Sequence, residues 1–145
     1  MEKIWLKSYH NAVPAEISFE KITLSEALTR TAKRFPNNPA LLFQGTTISF
    51  QKLDDMVSRF ASALVALGVK PGDKVALLLP NLVQTVAATY GAFRAGAVVV
   101  MNNPLYTDRE LEHQYNDSGS KFLVCLDLLA PRMINLRQKT GITKI

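Results

Sequence analysis

Val75-Ala76-Leu77-Leu78-Leu79-Pro80-Asn81-Leu82-Val83-Gln84-Thr85-Val86-Ala87-Ala88-Thr89-Tyr90-Gly91-Ala92-Phe93-Arg94-Ala95-Gly96-Ala97-Val98-Val99-Val100-Met101 is the stretch on which the fold turns. From Val75 to Phe93 there are 19 residues without a formal charge, and Arg94 is the single charge between Lys74 and Asp108. Length alone would satisfy a bilayer crossing. However, Pro80-Asn81 breaks the run after five apolar residues, Gln84 and Thr85 follow, and Gly96 breaks it again. The pattern is strand, turn, helix, turn, strand. Residues 75–79 form a continuous apolar run, as in a parallel strand covered on both faces. Residues 82–95 are apolar on most sides of a helix, and 98–101 are the next strand.

Toward the C-terminus the same rhythm continues. Thr107-Asp108-Arg109-Glu110 is a capping box opening a helix to about Ser118, with Gly119 at its end. Residues 122–126 read as a third strand, Asp127 as the N-cap of a helix over 128–139, and 141–145 as the approach to a fourth strand. Short strand–helix alternation predicts right-handed βαβ units and a parallel sheet.

Toward the N-terminus, 51–67 is an amphipathic helix with Leu53, Met56, Val57, Phe60, Leu64 and Leu67 on one stripe. It is expected to cover a sheet rather than sit between layers. Leu41-Leu42-Phe43 and Ile48-Ser49-Phe50 flank Gln44-Gly45-Thr46-Thr47 as a small hairpin. Thr23-Leu24-Ser25-Glu26 is another capping box, starting a helix that Pro36-Asn37-Asn38-Pro39 ends. Residues 1–22, without a clear period, read as an extended N-terminal arm. The expected fold class is therefore α/β: a partial doubly wound parallel sheet with an N-terminal helix and a small hairpin, part of a larger domain.

At 145 residues, 48% apolar and 20% charged, the chain is the size of one ordinary domain, and collagen-like or disordered classes are excluded. The net charge of +5 is spread along the chain, whereas a nucleic-acid footprint would cluster on one face or arm. Arg132, Arg137, Lys139 and Lys144 form the one acid-free basic stretch, read as a solvated helix face and chain end or as a contact for an anionic partner. Cys125 is the single cysteine, so no internal disulfide is available, and its apolar neighbours make it core filler. The N-terminus lacks a long apolar segment and a small-residue cleavage site. The expected compartment is the cytoplasm.

Chemistry-bearing motifs are scarce. No Gly-x-Gly occurs, so the dinucleotide fingerprint is absent. Gly91 and Gly96 have phosphate-loop spacing, but Ala97-Val98 stand where Lys and Ser/Thr are needed, and they lie late in a helix. Gly45-Thr46-Thr47 offers hydroxyls and amides but sits where a hairpin turn belongs. His10 and His113 have no second ligand at helical spacing, so no metal site is expected. Asn102, Asn103 and Tyr106 are the candidate substrate-pocket residues. They follow a buried strand at its carboxyl end, where open α/β sheets place ligands. The competing reading is that Asn and Pro simply make the turn.

Read in order, these segments resemble the AMP-forming adenylating enzymes, which include acyl-CoA synthetases, luciferases and peptide-synthetase adenylation domains. The resemblance rests on Phe35-Pro36, Pro39-Ala40, Ile48-Ser49-Phe50-Gln51-Lys52-Leu53, Leu67-Gly68-Val69-Lys70-Pro71-Gly72-Asp73-Lys74-Val75-Ala76, Leu79-Pro80-Asn81, Gly91-Ala92-Phe93-Arg94-Ala95-Gly96-Ala97 and Asn102-Asn103-Pro104-Leu105-Tyr106. Glu110-Leu111-Glu112-His113-Gln114 and Asn116-Asp117-Ser118-Gly119 look most like long-chain fatty acid–CoA ligases.

The resemblance implies that 23–145 is the first part of the AMP-binding large domain. It also implies a parent reaction in which a fatty acid attacks ATP to give an acyl-adenylate and pyrophosphate, and CoA then displaces AMP. The parent cofactors are ATP, Mg²⁺ and CoA, with Mg²⁺ offsetting phosphate charge. The family's Ser/Thr/Gly-rich phosphate loop, its Tyr-x-x-Thr-Glu segment, its ribose-binding Asp and its C-terminal lysine do not occur here. They are expected beyond Ile145. No residue carries over as catalytic, no cofactor is expected to bind this stretch by itself, and the chain alone is expected to be inactive. An unfinished sheet also implies an edge open to self-association. The alternative is a stand-alone, non-catalytic α/β binding or interaction domain; a decayed or incomplete gene is a third reading.

Overall fold

The computed structural model describes residues 3–145. Met1 and Glu2 of the expected arm lie outside the described residues. Ile4–Ser8 is a 3₁₀ turn, and from Tyr9 to Ile22 the chain has neither helix nor strand.

Helix α1 (Leu24–Arg34) starts where its capping box dictates: the Thr23 hydroxyl accepts from the Glu26 amide at 3.1 Å, and the Thr23 amide donates to the Glu26 carboxylate at 2.7 Å. Strands β1 (Pro39–Phe43) and β2 (Thr46–Ser49) then pair antiparallel. Their turn is only Gln44-Gly45, both left-handed at φ 47° and 76°, a type I′ geometry that matches strand twist. Thr46 and Thr47 therefore belong to β2. Phe50, expected to end the second hairpin strand, instead opens α2 (Phe50–Ala66), because the Ser49 hydroxyl accepts from the Lys52 amide and caps the helix there.

The sheet consists of β3 (Lys74–Leu78), β4 (Val98–Asn102) and β5 (Phe122–Cys125), linked by α3 (Val83–Arg94) and α4 (Asp108–Ser118). All pairings are parallel, in the order β4-β3-β5. The path from β3 to β4 and back past β3 to β5 reverses direction across the sheet. Right-handed crossovers then require the two connecting helices on opposite faces, and the core shows that arrangement. Val75 and Leu77 pack with Ala61 and Leu64 of α2 and with Ala88 and Ala92 of α3. Ala76 and Leu78 pack with Leu111 and Tyr115 of α4 and with Met133 and Leu136 of α5 (Ala130–Arg137). Val75 to Leu78 are fully buried, as a central strand covered on both faces must be.

Two expectations need correction. Asp127 does not cap a helix over 128–139. Its carboxylate accepts from the adjacent Leu128 amide at 2.8 Å, Asp127–Leu129 is a 3₁₀ turn, and α5 begins at Ala130 with Pro131 in its first turn, where the ring's fixed φ and missing N–H fit. Helix α2 covers the sheet only with its C-terminal half. Its N-terminal half, through Leu53 and Val57, packs with Leu28 of α1, Ile48 of β2 and Ala87 of α3. The approach to a fourth strand is present in outline: Lys144 bridges Phe122 in parallel, and the Leu123 amide donates to the Lys144 carbonyl at 2.9 Å.

Candidate functional site

The in-register ladder ends at Leu78, paired with Asn102 on one side and Cys125 on the other, so three strand termini align at the carboxyl end of the sheet. The loops beyond β3 and β4 enclose an open depression of about 560 Å³, lined by Pro80, Asn81, Asn102, Asn103, Pro104 and Leu105 among others. That volume is in the range of small-molecule sites.

The three predicted residues separate here. Asn102 is 5% exposed; its Nδ2 donates to the Val100 carbonyl at 2.8 Å, while its Oδ1 is buried and has no partner. Asn103 is exposed and builds the turn: its Oδ1 accepts from the Leu105 amide at 3.0 Å and its carbonyl from the Tyr106 amide at 3.0 Å. Tyr106 does not line the depression; its half-buried ring packs into the cluster beneath α4 and α5. Arg132 secures that corner, donating through Nη2 to the Tyr106 carbonyl and through Nε to Asp108, both at 2.6 Å. Asn102 and Asn103 thus line the depression, Asn103 also builds the turn, and Tyr106 lies in the core beneath.

Every residue lining this depression is uncharged. It offers no side-chain cation for a phosphate or carboxylate and no titrating side chain for acid–base chemistry. Gly45-Thr46-Thr47 is unsuited to a phosphate, being hairpin turn and strand with no helix N-terminus behind it.

A second depression, about 550 Å³ and largely apolar, lies on the α2–α3 side beside β5; Met56, Phe60, Ala88, Val124 and Cys125 contribute to it. Sequence reading misses it, since its walls come from four separate stretches with no local signature. Cys125 is half-buried, and burial raises its thiol pKa, with the Asp127 charge adding to the rise. Behind it, burial pushes the Tyr115 phenol well above its ordinary range, and the hydroxyl donates to the Met133 sulfur at 3.7 Å. The His10 imidazole accepts from the Ala12 amide in the arm at 3.2 Å, far in sequence from His113 on α4. Among the described residues no three His, Cys, Asp or Glu side chains come together as metal ligands. No helix among them is long and apolar enough to cross a membrane.

A family model described as AMP-binding enzyme matches residues 28–145. The chain belongs to the AMP-binding enzyme family. Curated AMP-binding relatives include the long-chain-fatty-acid–CoA ligases of Salmonella typhimurium, 41% identical over 147 aligned positions, and of Bacillus subtilis, 38% over 144. The alignments take in 100% and 99% of this chain but 26% of each relative. Thus the chain spans about a quarter of the length of the curated relatives it matches. Among solved structures, a long-chain-fatty-acid-CoA ligase from Archaeoglobus fulgidus superposes with a TM-score of 0.83 at 26% identity, covering 88% of this chain and 27% of that one. The Mycobacterium tuberculosis fatty acyl CoA synthetase gives 0.77 at 29% identity, covering 83% and 25%. Along nearly its whole length the chain is therefore similar to about a quarter of a long-chain-fatty-acid–CoA ligase, and it shares the parallel-sheet fold of the solved ones.

Proposed function

We propose that this chain supplies the first part of the large domain, residues 23–145 behind an arm of 1–22, of a cytoplasmic long-chain fatty acid–CoA ligase. The whole protein converts fatty acid, ATP and CoA to acyl-CoA, AMP and pyrophosphate through an acyl-adenylate. The observation that carries the reading is the alignment of the entire chain, at 41% identity, with about a quarter of such a ligase's length. A carboxylate oxygen is a poor leaving group and AMP a good one, which is why thioester formation passes through the adenylate.

The 145-residue chain contributes scaffold and one end of a sheet. Its strand-end depression carries no charged lining group, and none of its residues is assigned a catalytic role. The chain by itself therefore does not adenylate. At this end of the sheet Asn102 and Asn103 face the ligand side, while Tyr106 positions the loop from below. The outer edges of the sheet support self-association of the isolated chain.

Fatty-acid-dependent pyrophosphate–ATP exchange tests the proposal. The purified 145-residue chain is expected to give none, and the product of a coding sequence read past Ile145 is expected to give exchange and acyl-CoA. Exchange by the 145-residue chain overturns the inactive-scaffold reading. Absence of any adenylating segment downstream overturns the ligase reading and leaves a stand-alone binding domain.

A further inference from the structure

Positive charge that is spread along the sequence is gathered in space at the amino end of the sheet. Lys74 opens β3 and Lys121 stands immediately before β5, with the Lys121 amide donating to the Lys74 carbonyl at 3.4 Å. The Lys144 amide donates in turn to the Lys121 carbonyl at 3.2 Å. Three neighbouring chain segments, at a spacing of about 4.8 Å, thus each carry a lysine, and like charges placed side by side repel. Lys70 lies in the turn leading into β3, where the Asp73 carboxylate accepts from its amide at 2.8 Å. Arg137 Nε donates to the Ile142 carbonyl at 3.1 Å, and the Lys139 carbonyl accepts from Asn116 Nδ2 at 3.1 Å, which brings the end of α5 beside the end of α4. All six basic side chains are exposed, and none has an ion pair among the described residues. Asp73 and Asp117 are the acids of these segments, so six positive charges meet two negative ones, an excess of four in a chain whose net charge is +5. Helices α3, α4 and α5 end on this side and bring about half a negative charge each, which leaves it positive.

We propose that the amino end of the sheet docks on an anionic phospholipid surface. Apolar side chains stand among the lysines: Val98, in register with Lys74, is 50% exposed, and Leu67, which lines the same hollow as Lys144, is 54% exposed. Cationic heads among the lipid phosphates and aliphatic side chains reaching below them are the two contributions that hold a protein at a membrane interface. A nucleic acid is the poorer match. Segments 67–74, 116–121 and 137–145 contain no aromatic ring to stack on a base, and five of the six cations are lysines, which lack the planar fork of arginine. The strand-end depression lies at the carboxyl end of the sheet, where open α/β sheets bind their ligands, so the amino end is free for a surface contact while the other end is occupied. The docking is independent of the ligase reading, since it uses neither adenylation nor a fatty acid.

Flotation of the 145-residue chain with phosphatidylcholine vesicles, made with and without phosphatidylglycerol, tests the proposal. Binding is expected only where phosphatidylglycerol is present, and it should weaken as salt is raised. Lys74→Gln combined with Lys121→Gln and Lys144→Gln is expected to weaken it about a hundred-fold, at roughly five-fold per lysine. Lys144→Gln alone should lose about five-fold, and it carries the test should the triple variant not fold. Removing three exposed charges elsewhere (Lys52→Gln, Arg59→Gln and Arg109→Gln) is expected to leave binding nearly unchanged, because charges beyond a Debye length of about 8 Å are screened. Equal losses in the two triple variants, equal binding to both vesicle types, or binding to neither overturns the proposal. Tighter binding to a duplex DNA oligonucleotide than to the vesicles overturns it in favour of a nucleic-acid surface.

Discussion

Arg94 donates to five acceptors: Ser25 Oγ at 3.1 Å, Thr29 Oγ1 at 2.7 Å, Ser58 Oγ at 2.6 Å, the Asp54 carbonyl at 3.1 Å and the Asp54 carboxylate at 2.7 Å. It thereby ties α3 to both α1 and α2, and the ion pair is largely shielded, with the two side chains 20% and 18% exposed. Arg94→Ala strands Asp54 beside Thr29 and is expected to cost about 3 kcal/mol in urea denaturation. Arg94→Lys should recover little, since a point charge cannot replace the planar fork. Gly91 illustrates a different constraint. A Cβ there would lie 2.8 Å from Phe60 Cδ1 and 3.2 Å from the Val57 carbonyl oxygen. Helix propensity alone favours Gly91→Ala by about 1 kcal/mol, but the clash reverses the sign. The same denaturation measurement should show a net loss of about 1–2 kcal/mol. Gly91, one of the two glycines whose spacing mimics a phosphate loop, thus answers a packing requirement between α2 and α3. Cys125, whose thiol pKa is raised by burial, is expected to react with a disulfide reagent at neutral pH about ten-fold more slowly than free cysteine.

Helices α1, α2 and α4 are started by cap side chains close in sequence, so those limits respond to local changes. In the capping box of α4 the Thr107 hydroxyl accepts from the Glu110 amide at 3.4 Å, and the Thr107 amide donates to the Glu110 carboxylate at 2.7 Å. Thr107→Ala is expected to lower stability by about 1 kcal/mol by thermal or urea unfolding. In α1 and α4 the hydrogen bonds from Thr23 and Thr107, backbone first, hold the Glu26 and Glu110 carboxyls below their ordinary range. Because the folded pKa is the lower one, the linked stabilisation is fully present above the unfolded glutamate pKa and is lost as pH falls through the folded value. A stability–pH profile of Glu110→Gln should therefore be flatter on its acid side than that of the parent chain. A steeper acid limb in the variant would refute the assignment. Cap-to-cap signals of this kind lie within three or four residues, so α1 and α4 are legible directly. The start of α5 is not, because an Asp before an apolar run looks the same whether it caps a helix or, as Asp127 does, bonds its neighbour in a 3₁₀ turn.

For the whole molecule the decisive feature is a three-stranded parallel sheet with different surroundings at its two edges. Along β4, Val98 and Met101 are 50% and 55% exposed. Beside β5, the chain's last residues form only one bridge, and an apolar hollow of about 340 Å³ lies among Phe60, Leu64, Val124 and Ile145. Exposed, apolar edge strands pair with other chains unless charge is placed on them. Sedimentation of the 145-residue chain is accordingly expected to show concentration-dependent oligomers, and Val98→Lys to shift them toward monomer. A concentration-independent monomer for the parent chain would remove this expectation.

The alternation of buried strand and helix, the capping-box starts of α1 and α4 and the hairpin were readable from the order of residues, because each depends on neighbours a few positions apart. The separation of Asn102, Asn103 and Tyr106 into a buried acceptor, a turn builder and a core ring was not, since a strand's parity and the loop's path decide it. Neither was the order β4-β3-β5, the division of α2 between sheet and α1, or the convergence of Ser25, Thr29, Asp54 and Ser58 on Arg94. Periodicity states that a face is apolar, but which surface covers it is a matter of long-range packing, settled only when distant segments compete for the same contact.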